Sequence, residues 1–439
     1  MGLLLVRKLI VSFILCLYAT VGLSASLIND TETERILYDL VAPLATAADI
    51  PQNRVKIHIV NDDDFNAFVM GGEDVYLYTG LLQQIKNPSA LQAVVAHEFG
   101  HTIGGHVAQM SERMNAEMKR TMLIQALGVG LMVAGGNPTL GAGVLAGSSG
   151  IAQQSMMAFS RDEERIADNL GVDLMIDAKQ NPNGFVDVFE QMQKLSGAAE
   201  SKINPNAINH PLTTERLNNV RTYIKQKASE ISVDTTKEKN RGAKYELVRA
   251  KLVGYLEKPG RVLELYPYSD KSDAALYARA IANMRAGNLD GAKIGTQTLI
   301  GRAPNNPYFY ELLGDILYQY GHYDDSVDAY QKSLDLVDGD APQIQTALAL
   351  VLTERNKPDD NMRAIDLCKR ALLTEPAPLA YWVLARAYGD DDMGRQMWAM
   401  AEYYQMIGKN TDAQKYAKRA RQHLKKSDPE YIKSSDIIK

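Results

Sequence analysis

Residues 94–101 read Val-Val-Ala-His-Glu-Phe-Gly-His. The apolar residues that open this stretch are typical of a buried helix, and residues i and i+4 of a helix lie on one face. His97 and His101 can therefore direct both imidazoles at one metal ion, with Glu98 beside them. A buried His-Glu pair is costly unless a metal satisfies it. The stretch therefore predicts a zinc hydrolase in which Glu98 acts as general base on a water molecule.

A catalytic zinc site needs a third protein ligand. A third histidine six residues after His101 is excluded, because that position is Val107. His106 is one residue short, and its helical phase directs it away from the pair, either to the surface or against a metal ligand. The third ligand is therefore expected from another part of the chain.

Residues 160–171 read Ser-Arg-Asp-Glu-Glu-Arg-Ile-Ala-Asp-Asn-Leu-Gly. Glu164 and Asp168 are four residues apart, so Glu164 can ligate the metal while Asp168 accepts the outer N–H of a ligating histidine. A solvated acidic helix face is the alternative interpretation. Glu163 is the competing ligand, but it has no aspartate four residues later. We expect Glu164 to be the ligand.

The start of the chain predicts export. Residues 1–25 place two basic residues, an apolar run and small residues in the order of a secretory signal peptide. An uncleaved membrane anchor is the alternative. Cys16 lies in this segment, which leaves Cys368 without an intramolecular disulfide partner in a mature periplasmic chain. The net charge of −5 over 439 residues indicates no nucleic-acid surface.

A repeat occupies the second half of the chain. Gly287 and Gly321 are 34 residues apart, and Gly314 and Tyr330 also fall at the spacing of a tetratricopeptide helix pair. An unrelated helical bundle is the alternative. The expected domains are a signal peptide at 1–25, a metallopeptidase domain at 26–230, a linker at 231–244, an all-α tetratricopeptide solenoid at 245–430 and a tail at 431–439.

Three motifs together resemble one family. The His-Glu-x-x-His helix, the Ser-Arg-x-x-Glu-x-x-Ala-Asp-x-x-Gly segment and Asn209-His210-Pro211 are similar to those of the HtpX and CAAX-prenyl-protease family of gluzincin metallopeptidases. The resemblance implies an α+β gluzincin-type domain, mostly helical with a small sheet, and one zinc per chain. The export signal and the repeats narrow it to the periplasmic barrel-assembly-enhancing proteases. That likeness implies an endopeptidase for misfolded or stalled outer-membrane proteins, which docks to the β-barrel assembly machinery.

His210 lies in a loop that Pro211 keeps from being helical. It can be a surface histidine, but the family likeness favours one of two functions. With Arg216, it can stabilise the oxyanion of the tetrahedral intermediate. Alternatively, its neutral imidazole can occupy the open fourth position of the zinc site and hold the enzyme inactive. We favour this inhibitory role.

A substrate-binding strand is expected before the metal helix. Residues 65–78 predict a hairpin that turns at Gly71-Gly72, and Asn66, Ala67 and Phe68 resemble the family segment that lines the cleft. A free strand edge there can pair with an extended substrate. An ordinary hairpin is the alternative.

The apolar residues 121–152 form two runs that are each too short to span a bilayer. They are expected to form short helices that cover the active site or touch lipid, so peripheral membrane contact is possible.

Two other classes of protein are alternatives to a peptidase. A chaperone or assembly scaffold, in which the metal site is mostly closed, is the main alternative. A structural zinc protein is disfavoured, because structural sites have four protein ligands and rarely a water-activating glutamate such as Glu98.

Overall fold

The computed structural model describes residues 26–106, 160–196, 210 and 213–438. These residues divide into two compact units. The N-terminal unit comprises Ala25–Ile28 and Glu34–Glu246, and the C-terminal unit comprises Asn29–Thr33 with the chain from Leu247 onward. The predicted signal peptide and the apolar stretch 121–152 lie outside the described residues. Within the described part, no helix is long and apolar enough to cross a bilayer.

A four-stranded sheet lies in the N-terminal unit, in the order β1-β2-β4-β3. β2 and β4 pair in parallel, whereas β3 and β4 form the predicted antiparallel hairpin. Gly71 and Gly72 make its turn with φ values of 63° and 81°, which glycine adopts without steric cost. β3 is therefore an edge strand beside the metal helix. The strands are Ser26–Ile28 (β1), Lys56–Asn61 (β2), Ala67–Met70 (β3) and Asp74–Tyr78 (β4).

Helices surround this sheet, and the central one carries the His-Glu-x-x-His motif. That helix begins at Pro88, because the Asn87 side chain accepts the backbone N–H of Ala90 at 2.7 Å and caps the first turn. Among the described residues, the helices that begin before residue 247 are Thr31–Ala47 (α1), Thr79–Gln84 (α2), Pro88–Ile103 (α3), Arg161–Asp177 (α4), Gly184–Ser196 (α5), Thr214–Gln226 (α6) and Thr235–Leu256 (α7), with a 3-10 turn at Gln52–Arg54.

Two glycines bring helices α3 and α4 unusually close. A Cβ on Gly100 would lie 2.5 Å from the carbonyl oxygen of Ala167, and a Cβ on Gly171 would lie 3.0 Å from that of Ala96. Both helices therefore need glycine at the crossing. This close packing brings the two motif histidines up to the acidic residues of α4.

The C-terminal unit is helical throughout its described length, and consecutive helices pack against one another. Between α11 and α12, a Cβ on Gly314 would lie 2.9 Å from the ring of Tyr330, so glycine allows the ring to pack there. The helices are Pro259–Leu265 (α8), Asp273–Arg285 (α9), Leu289–Arg302 (α10), Pro307–Tyr320 (α11), Tyr323–Leu336 (α12), Pro342–Arg355 (α13), Asp360–Thr374 (α14), Pro378–Tyr388 (α15), Met393–Met406 (α16), Asn410–His423 (α17) and Pro429–Ile438 (α18).

Helix α1 begins at Thr31, because Asp30 accepts the backbone N–H of Thr33 and residues 26–28 pair as a strand. The mostly helical fold with a small sheet confirms the coarse prediction. The predicted linker 231–244 is helical from Thr235 onward. The predicted tail lies mostly within α18.

Cys368 lies in the larger apolar core of the C-terminal unit, on α14. It is fully buried and forms no disulfide. Burial raises the pKa of its thiol to about 12, so the group stays protonated and apolar in character.

Candidate active site

Four side chains from three parts of the chain converge in the N-terminal unit. Nε2 of His101 lies 3.1 Å from Nε2 of His97, and both face the carboxylate of Glu164 at 3.4–3.5 Å. Nδ1 of His210 lies 2.7 Å from Glu164 and 3.3 Å from His97. One ligand atom from each residue falls within 4.8 Å of the other three.

This spacing fits a metal ion. Metal–ligand bonds of about 2.0–2.1 Å in a tetrahedral site place the ligand atoms about 3.3 Å apart. His97, His101 and Glu164 are almost fully buried, so their polar atoms face one another rather than water. The donor set of imidazole nitrogens and one carboxylate suits zinc and related transition metals.

Asp168 and Arg216 support the cluster from the outer side. Oδ1 of Asp168 lies 2.9 Å from Nδ1 of His97, the nitrogen that faces away from the cluster. Arg216 donates two hydrogen bonds to Asp168, at 2.8 and 2.9 Å, and its third guanidinium nitrogen lies 2.6 Å from Glu164. A bidentate guanidinium–carboxylate pair is rigid, so Asp168 and Glu164 are held in fixed orientations.

Sequence reasoning placed Arg216 at the oxyanion and did not anticipate these pairs. Its guanidinium faces Asp168 and Glu164, 48 and 52 residues earlier in the chain. The position of Arg216 follows from helix α6, whose first turn is capped by the side chain of Thr213.

The cluster perturbs the protonation of its own members. Burial alone would lower the pKa of His97, but hydrogen bonds to Asp168 and Glu164 raise it to about 9. Burial, opposed only in part by Glu164, lowers the pKa of His101 to about 4. Burial would raise the pKa of Glu164, yet hydrogen bonds from the histidines hold it far below its usual range. These shifts leave Glu164 ionised and His101 neutral, the forms in which both can ligate, whereas His97 must lose a proton before it can ligate.

Glu98 and His210 lie side by side. Oε1 of Glu98 is 3.4 Å from Nε2 of His210, whose other ring nitrogen faces Glu164. Glu98 is buried, one residue after His97 on α3. A carboxylate there can reach a small molecule at the cluster without itself being part of the converging set.

By sequence, the carboxylate of Glu163 and the imidazole of His106 are further candidates for the metal site. Glu163 lies in the capping box of α4, where its carboxylate accepts the backbone N–H of Ser160 at 2.8 Å. His106 is buried rather than exposed, and its Nδ1 lies 3.1 Å from Nδ1 of His101. Of the two positions weighed for His106, contact with His101 is therefore the one observed.

An open cleft adjoins the cluster. Asn66 and Ala67 line it together with His97 and Glu98, whereas Phe68 stacks on the ring of Tyr76 at 4.6 Å. Sequence reasoning missed the apolar wall, most of which helix α5 supplies. This wall comprises Leu81, Val94, Phe185, Val188, Phe189 and Met192.

Comparison with known proteins agrees with this geometry. Residues 31–224 match the model of peptidase family M48. The chain carries an M48 metallopeptidase domain. It is a metalloprotease, and the His/His/Glu/His cluster is its candidate metal site.

Similarity to known proteins extends over most of the chain. The Beta-barrel assembly-enhancing protease of Escherichia coli (strain K12) is 25% identical over 397 residues, which are 88% of this chain and 78% of that protein. The protein of the same name from Yersinia pestis is 27% identical over 406 residues, 89% and 79% of the two chains. Mitochondrial metalloendopeptidase OMA1 of Saccharomyces cerevisiae is 28% identical over 185 residues, 40% of this chain and 48% of that one.

Proposed function

We propose that this protein is a zinc-dependent endopeptidase of the periplasm that acts on misfolded or stalled outer-membrane proteins. The observation that carries the chemistry is the convergence of His97, His101 and Glu164 beside Glu98. The substrate class and the location are supported by the similarity to Beta-barrel assembly-enhancing proteases over most of the chain.

In this proposal, His97, His101 and Glu164 hold one zinc ion. Bound zinc would act as a Lewis acid that polarises the scissile carbonyl and lowers the pKa of water. Asp168 fixes the tautomer of His97 by accepting its outer N–H, and Arg216 holds Asp168 and Glu164 in place. Buried charges of this kind are stable only when paired, so the whole set acts as one unit.

Glu98 is the general base. It accepts the proton of the attacking water and returns it to the leaving amine, which requires a carboxylate within reach of the cluster but outside the ligand set. Its position one residue after His97 and against the cleft meets both conditions.

The cleft suggests how a substrate is held. Asn66 precedes edge strand β3 and Ala67 begins it, and the outer edge of this strand could pair with an extended peptide. The apolar wall from α5 would then receive a large apolar side chain next to the scissile bond. Such side chains are exposed in unfolded outer-membrane proteins and buried against lipid in folded ones.

His210 is proposed as an inhibitory fourth ligand. Its Nδ1 faces the same centre as His97 and Glu164, where the water would otherwise bind. If so, replacing it frees that position, and His210→Ala raises basal proteolysis. A transition-state role predicts the opposite change, since one lost oxyanion donor costs about 10²–10³ in kcat. An activity and a zinc affinity that both match the parent would exclude both roles.

The same contact favours a second candidate function. A chaperone or assembly scaffold with a mostly closed metal site would need a group that occupies the centre, and His210 is such a group. Proteolysis that stays undetectable in the His210→Ala protein, with zinc bound and the fold intact, would favour the scaffold.

The C-terminal unit is proposed to be a tetratricopeptide solenoid that docks to a protein partner, the β-barrel assembly machinery. The 34-residue spacing, the packed helix series and the Gly314–Tyr330 contact support this assignment.

The central experiment compares the wild type with Glu98→Gln. Glutamine keeps the shape of the side chain but cannot take a proton, so we expect zinc content and fold to persist. Casein cleavage should fall by about 10²-fold or more. Near-normal turnover in the substituted protein would remove Glu98 as the base. Wild-type protein that neither retains zinc nor cleaves casein would contradict the proposed activity.

A further inference from the structure

A short segment near the start of the chain belongs to the C-terminal helical unit. Residues Asn29–Thr33 group with the helices after Leu247 and form the cap and first turn of α1. Thr31, Glu32 and Thr33 are buried there, although they are polar. Burying three consecutive polar side chains is costly unless specific partners compensate.

Four consecutive side chains of this segment contact side chains from four different places in the helical unit. Asp30 forms an ion pair with Lys251 on α7 at 2.6 Å, and Glu32 accepts the hydroxyl of Tyr277 on α9 at 2.7 Å. The two remaining contacts are hydrogen bonds from Asn29 to Glu375, after α14, and from Thr31 to Gln343 on α13.

These partners form a cradle, which we define as Lys251, Tyr277, Gln343 and Glu375. Tyr277 contacts Glu32 and Glu311 contacts Lys251, and these two residues are 34 apart, the spacing of a tetratricopeptide repeat. Together, the four side chains of the cradle contact four consecutive residues of the segment.

The contact between the segment and the cradle leaves some polar groups poorly satisfied. One ammonium, that of Lys251, faces Asp30, Glu32 and Glu311 at 2.6, 3.2 and 3.5 Å. Burial raises the pKa of Glu32 and of Glu311, so the third carboxylate is poorly compensated. In the described residues, Oε1 of Glu32 and Oγ1 of Thr33 have no hydrogen-bond partner. A contact with this much residual cost can be exchanged for a better one.

We propose that the cradle is a binding site for the acidic first turn of a helix, Asn-Asp-Thr-Glu in pattern, and that Asn29–Thr33 occupies it as a tethered, displaceable ligand. The partner is a protein segment that presents an aspartate at the helix cap and a glutamate two residues later. Lys251 and Tyr277 bind the carboxylates, while Gln343 and Glu375 accept hydrogen bonds from the hydroxyl and the amide. The site is separate from the peptidase centre, and its occupancy does not depend on hydrolysis.

The test uses the full chain with Glu98→Gln, so that no peptide is cleaved. The probe is a fluorescent peptide of residues 27–35, Leu-Ile-Asn-Asp-Thr-Glu-Thr-Glu-Arg, and the control peptide carries Asn and Gln at its Asp30 and Glu32 positions. Binding is measured by fluorescence anisotropy. The proteins are the parent, Asp30→Asn/Glu32→Gln, and the same double variant with Lys251→Met.

A tethered occupant competes at high effective concentration, so weakening it should tighten probe binding about tenfold or more relative to the parent. Lys251→Met should remove that gain, and the control peptide should bind weakly throughout. A double variant that binds no better than the parent, or a triple variant that binds equally well, would overturn the proposal.

Folding of each protein is checked by far-ultraviolet circular dichroism. The double variant keeps Glu311 as the ion partner of Lys251, so we expect it to fold. If it does not, Thr31→Val weakens the occupant by a single hydroxyl and serves in the same titration. Tighter probe binding than the parent supports the proposal there as well, and unchanged binding rejects it.

Discussion

Two buried charge clusters in the described part of the chain differ in where their positive charge comes from. In the metal site, two histidines and Glu164 direct their ligand atoms at a common centre, and Arg216 lies on the outer side. Around Lys251, carboxylates converge on an ammonium that the chain itself provides. Buried carboxylates need a cation in either case. The difference supports the proposals that the first cluster holds an added ion and that the second forms contacts within or between chains.

The largest expected effect is the loss of the metal from the first cluster. Glu164→Ala should reduce zinc affinity by more than the roughly 10–100-fold that follows loss of an outer partner, because a direct ligand is removed. Zinc retained after dialysis is measured by elemental analysis. Glu163→Ala is the matched control, since its carboxylate caps α4 instead. Full zinc occupancy in Glu164→Ala would show that Glu164 is not a metal ligand.

Disrupting the second cluster should lower the stability of the protein rather than release an ion. Lys251→Met leaves Asp30, Glu32 and Glu311 without their shared cation, so the free energy of unfolding should fall by about 3–5 kcal/mol. Both tryptophans, Trp382 and Trp398, lie in the helical unit, and their fluorescence during urea unfolding reports on it.

Lys244→Met on the same helix is the control for that substitution. Its ammonium is exposed and lies 3.6 Å from Asp39, so its loss should change stability by less than about 1 kcal/mol. Equal stability of the two variants would show that Lys251 is not the centre of its cluster.

A smaller effect is expected from the outer support of the metal site. Asp168→Asn keeps the size of the side chain but weakens its hold on His97 and Arg216, so zinc affinity should drop about 10–100-fold. Competition with a zinc-binding dye measures it. Asp173→Asn, on the same helix but bonded to Tyr223, should leave the affinity unchanged. Identical zinc affinity in the two variants would argue against a role for Asp168.

The last expected effect is a pH dependence of stability that comes from Glu311. Burial raises its pKa to about 8 from an ordinary value near 4.5, against the opposing charge of Lys251. Its folded pKa is above the unfolded one, so its contribution is fully present below about pH 4.5 and is lost as the pH rises through 8. Urea midpoints of the helical unit should therefore decline between those values. Glu311→Gln should decline less steeply; parallel slopes would contradict the assignment.

The metal helix and its acidic partner could be predicted because local geometry determines them. The i, i+4 spacing of His97 and His101, and of Glu164 and Asp168, places each pair on one helix face whatever surrounds it. The close crossing that joins the two faces needs Gly100 and Gly171, which sequence spacing alone does not reveal.

Contacts that depend on packing could not be predicted. Arg216 meets Asp168 only because α4 and α6 pack together. Asp30 and Lys251 are more than 200 residues apart, and neither has a local signal that identifies the other. The polar composition of residues 231–244 indicated a linker, although most of that stretch continues as exposed helix surface.

The reactivity of the buried Cys368 thiol can report on opening of the helical unit. Because it is fully buried and its pKa is near 12, an alkylating reagent can reach the thiolate only when α14 separates from its neighbours. The rate at which the thiol is modified under native conditions therefore counts opening events of that region. The thiol of Cys368 is thus an intrinsic probe of local opening in the helical unit.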